Sequence, residues 1–86
     1  MSRVIVDVRE PSEYLKSHVE GALNIPPSSI LGGVNVLSDL PKDTEIILYC
    51  NSGSRSSVAM NIMGNLGFTN LVNGINKDHV QAKYIS

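Results

Sequence analysis

The sequence has little cysteine, no long hydrophobic run and no excess of charge of either sign. Its one cysteine, Cys50, excludes a framework of intramolecular disulfides and a zinc site built on several cysteines. No apolar stretch reaches the roughly 18 residues that a membrane-spanning helix requires. Seven basic and eight acidic side chains give a formal net charge of −1. We therefore expect no binding to nucleic acid or to an anionic membrane, either of which would need a basic surface.

The composition is that of a globular protein. With 42% hydrophobic and 17% charged residues, the chain is too apolar to be disordered. Its 86 residues allow one compact domain, residues 1–86, but not two separate cores. The first residues lack the charged and apolar regions of a secretory signal, which predicts a protein that stays in the cytoplasm. The mixed surface charge leads us to expect a monomer.

Strand-like and helix-like segments alternate along the chain. Short apolar runs predict strands at residues 4–6, 22–25, 45–49 and 71–72. Helices are expected at residues 12–17, from Arg55 or Ser56 to Leu66, and weakly at 75–84, with a loose helix or ordered loop at 28–40. This order predicts an α/β fold, a small parallel sheet of about four to five strands with helices on both faces.

The longest predicted helix has one apolar face and a clear end. Gly67 is well placed as its C-terminal cap. Asn73 and Gly74 further along read as a turn. The spacing of five side chains predicts that they face the core: Val58, Ala59, Ile62, Met63 and Leu66.

The candidate site is the loop between the strongest strand and the strongest helix. Cys50 follows the strand directly, and ligands of parallel sheets bind beyond the carboxyl ends of strands. The loop N–H groups and the helix dipole favour an anion there, so we expect them to stabilise a thiolate with a pKa of roughly 5–7. Gly53 would let the loop fold back around that anion. The anion-binding loop comprises Asn51, Ser52, Gly53, Ser54, Arg55 and Ser56.

Simpler interpretations of the same residues stay open at this point. A lone cysteine is often a small buried hydrophobe, whereas a reactive one needs an electropositive, partly exposed setting. The loop serines could merely cap the helix. Arg55 could attract an anionic substrate or form an internal ion pair with Asp7 or Glu13.

Three segments carry a resemblance to a known family. Residues 7–14 read DVREPSEY and residues 18–26 read HVEGALNIP, while residues 49–56 read YCNSGSRS. Together these motifs resemble the N-terminal signature and the active-site loop of the rhodanese-like sulfurtransferases, over nearly the whole chain. Among single-domain members, the sequence is most similar to the phage shock protein E type, which also starts its loop with Cys-Asn.

The resemblance implies sulfur transfer through a persulfide on Cys50. The thiolate would attack the outer sulfur of a thiosulfate-like donor, and sulfite would leave. The persulfide would then pass its sulfur to cyanide or another thiophilic acceptor, which could be a protein thiol. We expect no cofactor. We also expect no metal, because a lone histidine such as His18 lacks the partners that a metal site requires.

The other candidate residues lie at the end of the first strand. Asp7 and Arg9 could form a rim that shapes the pocket, but we favour an ion pair that holds the strand end. His18 is more simply a structural histidine that bonds to the backbone. We assign no chemical step to the Asp7–Arg9 ion pair or to His18.

Three other functions are compatible with a reactive cysteine on this fold. A phosphatase or arsenate reductase commonly has five residues between Cys and Arg, whereas only four separate Cys50 from Arg55. A protein-persulfide carrier or binding module would keep the cysteine but show little turnover. A redox sensor would lack a second cysteine in this chain to resolve a sulfenate.

Overall fold

The computed structural model describes residues 3–31, 37 and 39–85. Four strands alternate with helices: β1 Arg3–Asp7, α1 Pro11–Lys16, β2 Leu23–Asn24, α2 Pro27–Leu31, β3 Glu45–Cys50, α3 Ser54–Asn65, β4 Leu71–Asn76 and α4 Lys77–Val80, followed by a π-helical turn at Gln81–Ile85. All strand pairs are parallel and the sheet order is β2-β1-β3-β4. The predicted α/β fold is confirmed, with four strands in the described part of the chain.

The central strand β3 divides the core into two layers. Alternate side chains of a strand point to opposite faces. Ile46, Leu48 and Cys50 pack on one face, and Ile47 and Tyr49 pack on the other. Helices α2 and α3 cover the first face, whereas α1, α4 and the π-helical turn cover the second. Helices on both faces are therefore confirmed, and they explain why β3 reads as one continuous apolar run.

Helix α3 buries a narrower face than its sequence predicts. Ala59 and Met63 are buried and Ile62 packs against them, but Val58 and Leu66 are about half exposed, at 52% and 53%. Placing Val58 and Leu66 in the core was wrong. Val58 lies off the face that contacts the sheet, and Leu66 lies at the C-terminal cap, where the chain leaves the helix.

The end of α3 has the predicted glycine cap. Gly67 has a φ of +103°, and its N–H bonds to the carbonyl of Gly64 at 3.1 Å. The next N–H, of Phe68, reaches back to the carbonyl of Met63 at 3.2 Å. These two bonds form a Schellman motif, which satisfies carbonyl groups that the helix leaves free.

The predicted turn at Asn73 and Gly74 is wrong, because both residues belong to β4. Leu48 pairs with Asn73 and Tyr49 pairs with Ile75, so Gly74 is the extra residue of a β-bulge. Pairing with β3 keeps the strand continuous through residues 73 and 74. The sequence of residues 71–76 alone does not predict that pairing. The bulge lies one residue before Cys50 on the neighbouring strand.

Two ambiguous segments are settled only in part. Within residues 28–40, the first residues belong to α2, and Leu37 is helical and buried. Residues 32–36 and 38 lie outside the described residues. The weak C-terminal helix is confirmed, beginning at Lys77. Among the helices that the structure describes, none is long and apolar enough to cross a bilayer.

Substitution of Gly74 tests the close packing at the bulge. A Cβ there would lie 2.5 Å from Val80 Cγ2 and 2.9 Å from Ile47 Cγ2. Gly74→Ala should therefore destabilise the fold by about 1–3 kcal/mol, as overpacking does. The measurement is the free energy of unfolding in urea.

Gly64→Ala is the matched control, because a Cβ at this helical position would meet nothing within 4 Å. It should stabilise the protein by roughly 0.5–1 kcal/mol. Equal effects of the two substitutions would contradict the packing seen at Gly74.

Candidate active site

The candidate site lies where β3 ends and α3 begins. Cys50 is the last residue of β3, and Gly53 is the N-cap of α3. Gly53 has a φ of +93°, a backbone conformation that L-residues rarely adopt. This left-handed turn folds the loop back over the end of the strand. The serine-capping interpretation is not observed, since no side chain caps this helix.

The loop backbone surrounds the Cys50 sulfur with hydrogen-bond donors. The N–H of Gly53 lies 3.1 Å from Sγ, and the Ser56 hydroxyl oxygen lies 3.7 Å from it. Burial opposes ionisation, but the hydrogen bonds of the loop, those from the N–H groups of Ser56, Ser52 and Gly53 among them, outweigh it, and the pKa of Cys50 falls to about 7. The site can therefore hold a thiolate near neutral pH.

The Cys50 thiol lacks the partly exposed setting that a reactive cysteine usually has. Cys50 is only 1% exposed. Its side chain points to the α3 face of the sheet, where it joins the core cluster of Val6, Val8 and Leu48, and the loop covers it from the other side. A small molecule could therefore reach the sulfur only if the loop or the side chain moved.

Glu13 of α1 clamps the loop from its outer side. Its carboxylate accepts hydrogen bonds from both terminal nitrogens of Arg55, at 2.8 and 3.2 Å, and from Asn51 Nδ2 at 2.9 Å. It also accepts the N–H of Glu10 at 2.9 Å in the first turn of α1. Of the two interpretations of Arg55, the structure shows the internal ion pair, and the partner is Glu13. The hydrogen bonds from Arg55 are the main reason why the pKa of Glu13 falls to about 2.

Asp7 and Arg9 form the predicted ion pair, away from the sulfur. Arg9 Nη2 lies 2.7 Å from Asp7 Oδ2 and also donates to the carbonyl of Ser17 at 2.6 Å. The Tyr49 hydroxyl donates to Asp7 Oδ2 at 2.9 Å and accepts the N–H of Val19 at 3.0 Å. Burial raises the pKa of Tyr49 to about 12, so the phenol stays protonated. Because Tyr49 faces the other layer from Cys50, this network supports the strand ends and not the sulfur.

The remaining predicted residues have minor places in the geometry. The hydroxyls of Ser52 and Ser54 contact each other at 3.2 Å and are exposed. His18 stacks on Tyr14 and its Nδ1 contacts the Tyr14 carbonyl at 2.8 Å, which agrees with a structural role. Among the residues that the structure describes, no three acidic, histidine or cysteine side chains come together as metal ligands would.

Asn73 was missed by the sequence analysis. Its Nδ2 donates to the carbonyl of Gly53 at 3.2 Å, and its Oδ1 accepts from the Ser56 hydroxyl at 2.7 Å and from the N–H of Ile75 at 2.9 Å. The last bond is typical of asparagine, which often bonds to the backbone two residues on. The sequence analysis used Asn73 only to predict a turn with Gly74.

Comparison with known proteins agrees with this geometry. The sequence profile described as "Rhodanese-like domain" matches residues 1–77. The thiosulfate sulfurtransferase PspE of Escherichia coli is 35% identical over 68 residues, which cover 79% of this chain and 64% of PspE. YrkF of Bacillus subtilis, named as a sulfur carrier protein, is 38% identical over 69 residues, covering 80% of this chain and 36% of YrkF. A solved structure of an E. coli rhodanese with anions has a TM-score of 0.79 at 29% identity and covers 91% of both chains.

The chain therefore belongs to the rhodanese-like domain family. The similarity to PspE confirms the resemblance to the phage shock protein E type. The chain spans 64% of the length of PspE and 36% of the length of YrkF.

The hydrogen bonds that Glu13 accepts should make the stability of the fold depend on pH. Because the folded state lowers the pKa of Glu13, its stabilising contribution is present above the unfolded pKa of about 4.3 and is lost as pH falls toward about 2. Glu13→Gln should therefore melt at a lower temperature than the parent near neutral pH. The two melting curves should converge near pH 2.

Melting temperatures measured by circular dichroism between pH 2 and 7 test this expectation. Glu20→Gln removes the same charge from an exposed turn residue and should follow the parent across the range. A Glu13→Gln profile parallel to the parent's would show that the carboxylate does not stabilise the fold.

Proposed function

We propose that the protein is a thiosulfate sulfurtransferase that moves a sulfane sulfur through a persulfide on Cys50. The observation that carries the proposal is the Gly53 N–H, 3.1 Å from Sγ, within a loop whose backbone donors lower the pKa of the thiol to about 7. A thiol that is ionised near neutral pH and surrounded by N–H donors has the properties of an activated nucleophile. The PspE relative is itself a thiosulfate sulfurtransferase.

The first step is displacement at sulfur. The Cys50 thiolate attacks the outer sulfur of thiosulfate, a new S–S bond forms, and the old S–S bond breaks. Its electron pair leaves on sulfite. No proton is needed by either the nucleophile or the leaving group, so the step requires no general acid. The loop N–H groups that face the thiolate are placed to hold the anionic persulfide as well.

The second step returns the enzyme to its resting state. The carbon of cyanide, or another thiophilic atom, attacks the outer persulfide sulfur. The S–S bond breaks, its electrons return to Cys50 as a thiolate, and the acceptor leaves carrying the sulfur. In this proposal Arg55 holds the loop through Glu13, since its guanidinium is already engaged by that carboxylate.

A second candidate function is a protein-persulfide carrier that hands its sulfur to a protein thiol. The similarity to YrkF favours it. Phosphatase chemistry is disfavoured by two observations. Only four residues separate Cys50 from Arg55, and the Arg55 side chain is bound by Glu13.

Intact-mass analysis tests the persulfide directly. Incubation with thiosulfate should add the mass of one sulfur atom, and cyanide should then remove it. Cys50→Ser should acquire no sulfur, because its hydroxyl cannot form the S–S bond. Turnover in that variant would refute the role of Cys50. Rapid discharge by a thiol-bearing protein but not by cyanide would favour the carrier, and hydrolysis of an aryl phosphate would favour a phosphatase.

The left-handed turn at Gly53 should be needed for sulfur transfer. A Cβ there would meet only ordinary contacts, the nearest at 3.6 Å, so Gly53→Ala fits sterically but is strained by its φ of +93°. Relaxation of that strain should turn the Gly53 N–H away from the sulfur. Loss of one such donor typically lowers turnover by about 10²–10³-fold, so we expect a fall of at least about tenfold.

Gly67→Ala is the control for strain alone. Gly67 has a similar φ of +103°, and a Cβ there would meet only the Lys42 side chain at 3.8 Å. This variant should lose stability but keep its sulfur-transfer rate, measured with thiosulfate and cyanide below its melting temperature. Full activity in folded Gly53→Ala would mean that the loop backbone does not hold the reacting sulfur.

A further inference from the structure

The side-chain amide of Asn73 has only one possible orientation. Its Oδ1 lies 2.9 Å from the N–H of Ile75, which can only donate. Its other end, Nδ2, lies 3.2 Å from the carbonyl of Gly53, which can only accept. Reversing the amide would break both bonds, so the oxygen must face Ser56.

This orientation determines where the Ser56 hydroxyl sends its hydrogen. Ser56 Oγ has one hydrogen and three acceptors near it: Asn73 Oδ1 at 2.7 Å, the Gly53 carbonyl at 3.1 Å and Cys50 Sγ at 3.7 Å. The shortest contact joins two oxygens, and Asn73 Oδ1 carries no hydrogen of its own. Ser56 therefore donates to Asn73 and presents a lone pair to the sulfur.

The β-bulge is what brings the Asn73 side chain to the loop. Gly74, the extra residue, is packed against Val80 and Ile47 and leaves no space for a Cβ. Ile75 follows with a φ of +72°, a conformation that β-branched residues rarely adopt. Bulges next to active sites commonly redirect a side chain, and backbone strain often accompanies them.

The charged groups at this end of the sheet are already paired. Arg55 of α3 is bound by Glu13 of α1, and Asp7 at the end of β1 is bound by Arg9. Strand β4 carries no titratable side chain between Leu71 and Asn76. A carboxylate placed at position 73 would therefore be a new, uncompensated charge on this side of the loop.

We propose that Asn73 is a positioning residue that sets the reactivity of Cys50 by holding the Gly53 carbonyl and the Ser56 hydroxyl. The inference rests on the proposed role of Cys50 as the sulfur-accepting nucleophile. Its consequences for the thiol, however, can be measured without any sulfur donor.

The principal test is the pH dependence of Cys50 alkylation by iodoacetamide. Cys50 is the one cysteine of the printed sequence, so the rate reports on that thiol alone. The parent should show a midpoint near pH 7. In Asn73→Asp, the amide donor to the Gly53 carbonyl is lost. The new carboxylate attracts the Ser56 hydrogen more strongly than the amide oxygen does, and it adds a negative charge. Each change disfavours the thiolate, so the midpoint should rise by about one pH unit or more.

Asn70→Asp is the matched control. Asn70 directly precedes β4, at the end remote from the bulge, and its amide donates to the Asp43 carbonyl at 3.4 Å. The substitution makes the same change of charge and should leave the alkylation midpoint where it is in the parent. A folded Asn73→Asp protein with the parent midpoint would overturn the proposal, as would an equal shift in Asn70→Asp.

Asn73→Ala keeps the test valid if the charged variant fails to fold. Asn73 is only half-buried, and alanine adds neither charge nor bulk there. This variant removes the amide's hydrogen bonds to the Gly53 carbonyl, which keeps its bond from the Ser57 N–H, and to the Ser56 hydroxyl. Its midpoint should therefore differ from the parent's by about half a pH unit or more. If Asn73 were merely structural, the substitution would lower the melting temperature and leave the midpoint unchanged, which would overturn the proposal.

Failure of thiosulfate to load Cys50 would refute the sulfurtransferase and leave these midpoints unaffected.

Discussion

The contact between the Gly53 N–H and the Cys50 sulfur is the interaction on which the site depends. It spans 3.1 Å and requires the backbone of Gly53 to be left-handed. A buried sulfur would otherwise resist ionisation, since removing a charge from water is costly. Donors from the loop backbone reverse that balance and lower the pKa of the thiol to about 7. The site therefore works through the path of the main chain more than through its exposed side chains.

Two sets of side chains hold that path from opposite sides. On the outer side, Glu13 binds Arg55 and Asn51, so helix α1 is tied to the loop. On the inner side, Asn73 binds Gly53 and Ser56 from strand β4. The loop is thus fixed by elements far from it in sequence. A short loop held this way has its N–H groups in place in advance, so binding of an anion would cost it little entropy.

The face of the sheet opposite Cys50 supports the ends of the strands. Tyr49 and Asp7 are both buried completely, and together with Arg9 they satisfy one another's hydrogen bonds. A buried ion pair that lost one member would leave an uncompensated charge, which is strongly destabilising. The network joins the ends of β1 and β3 and so places the last residue of β3. Cys50 is held in position by neighbours that never contact its sulfur.

The α/β class, the order of the elements, the position of the Cys50 loop and the cap at Gly67 could be predicted from the sequence, because each depends on local patterns such as apolar runs and glycine positions. Four features emerged only from the folded structure: the partner of Arg55, the burial of Cys50, the exposure of Val58 and Leu66, and the contact of Asn73 with the loop. These outcomes depend on contacts between residues far apart in the chain. The bulge in β4 arises from its pairing with β3, and no pattern within residues 71–76 encodes that partner.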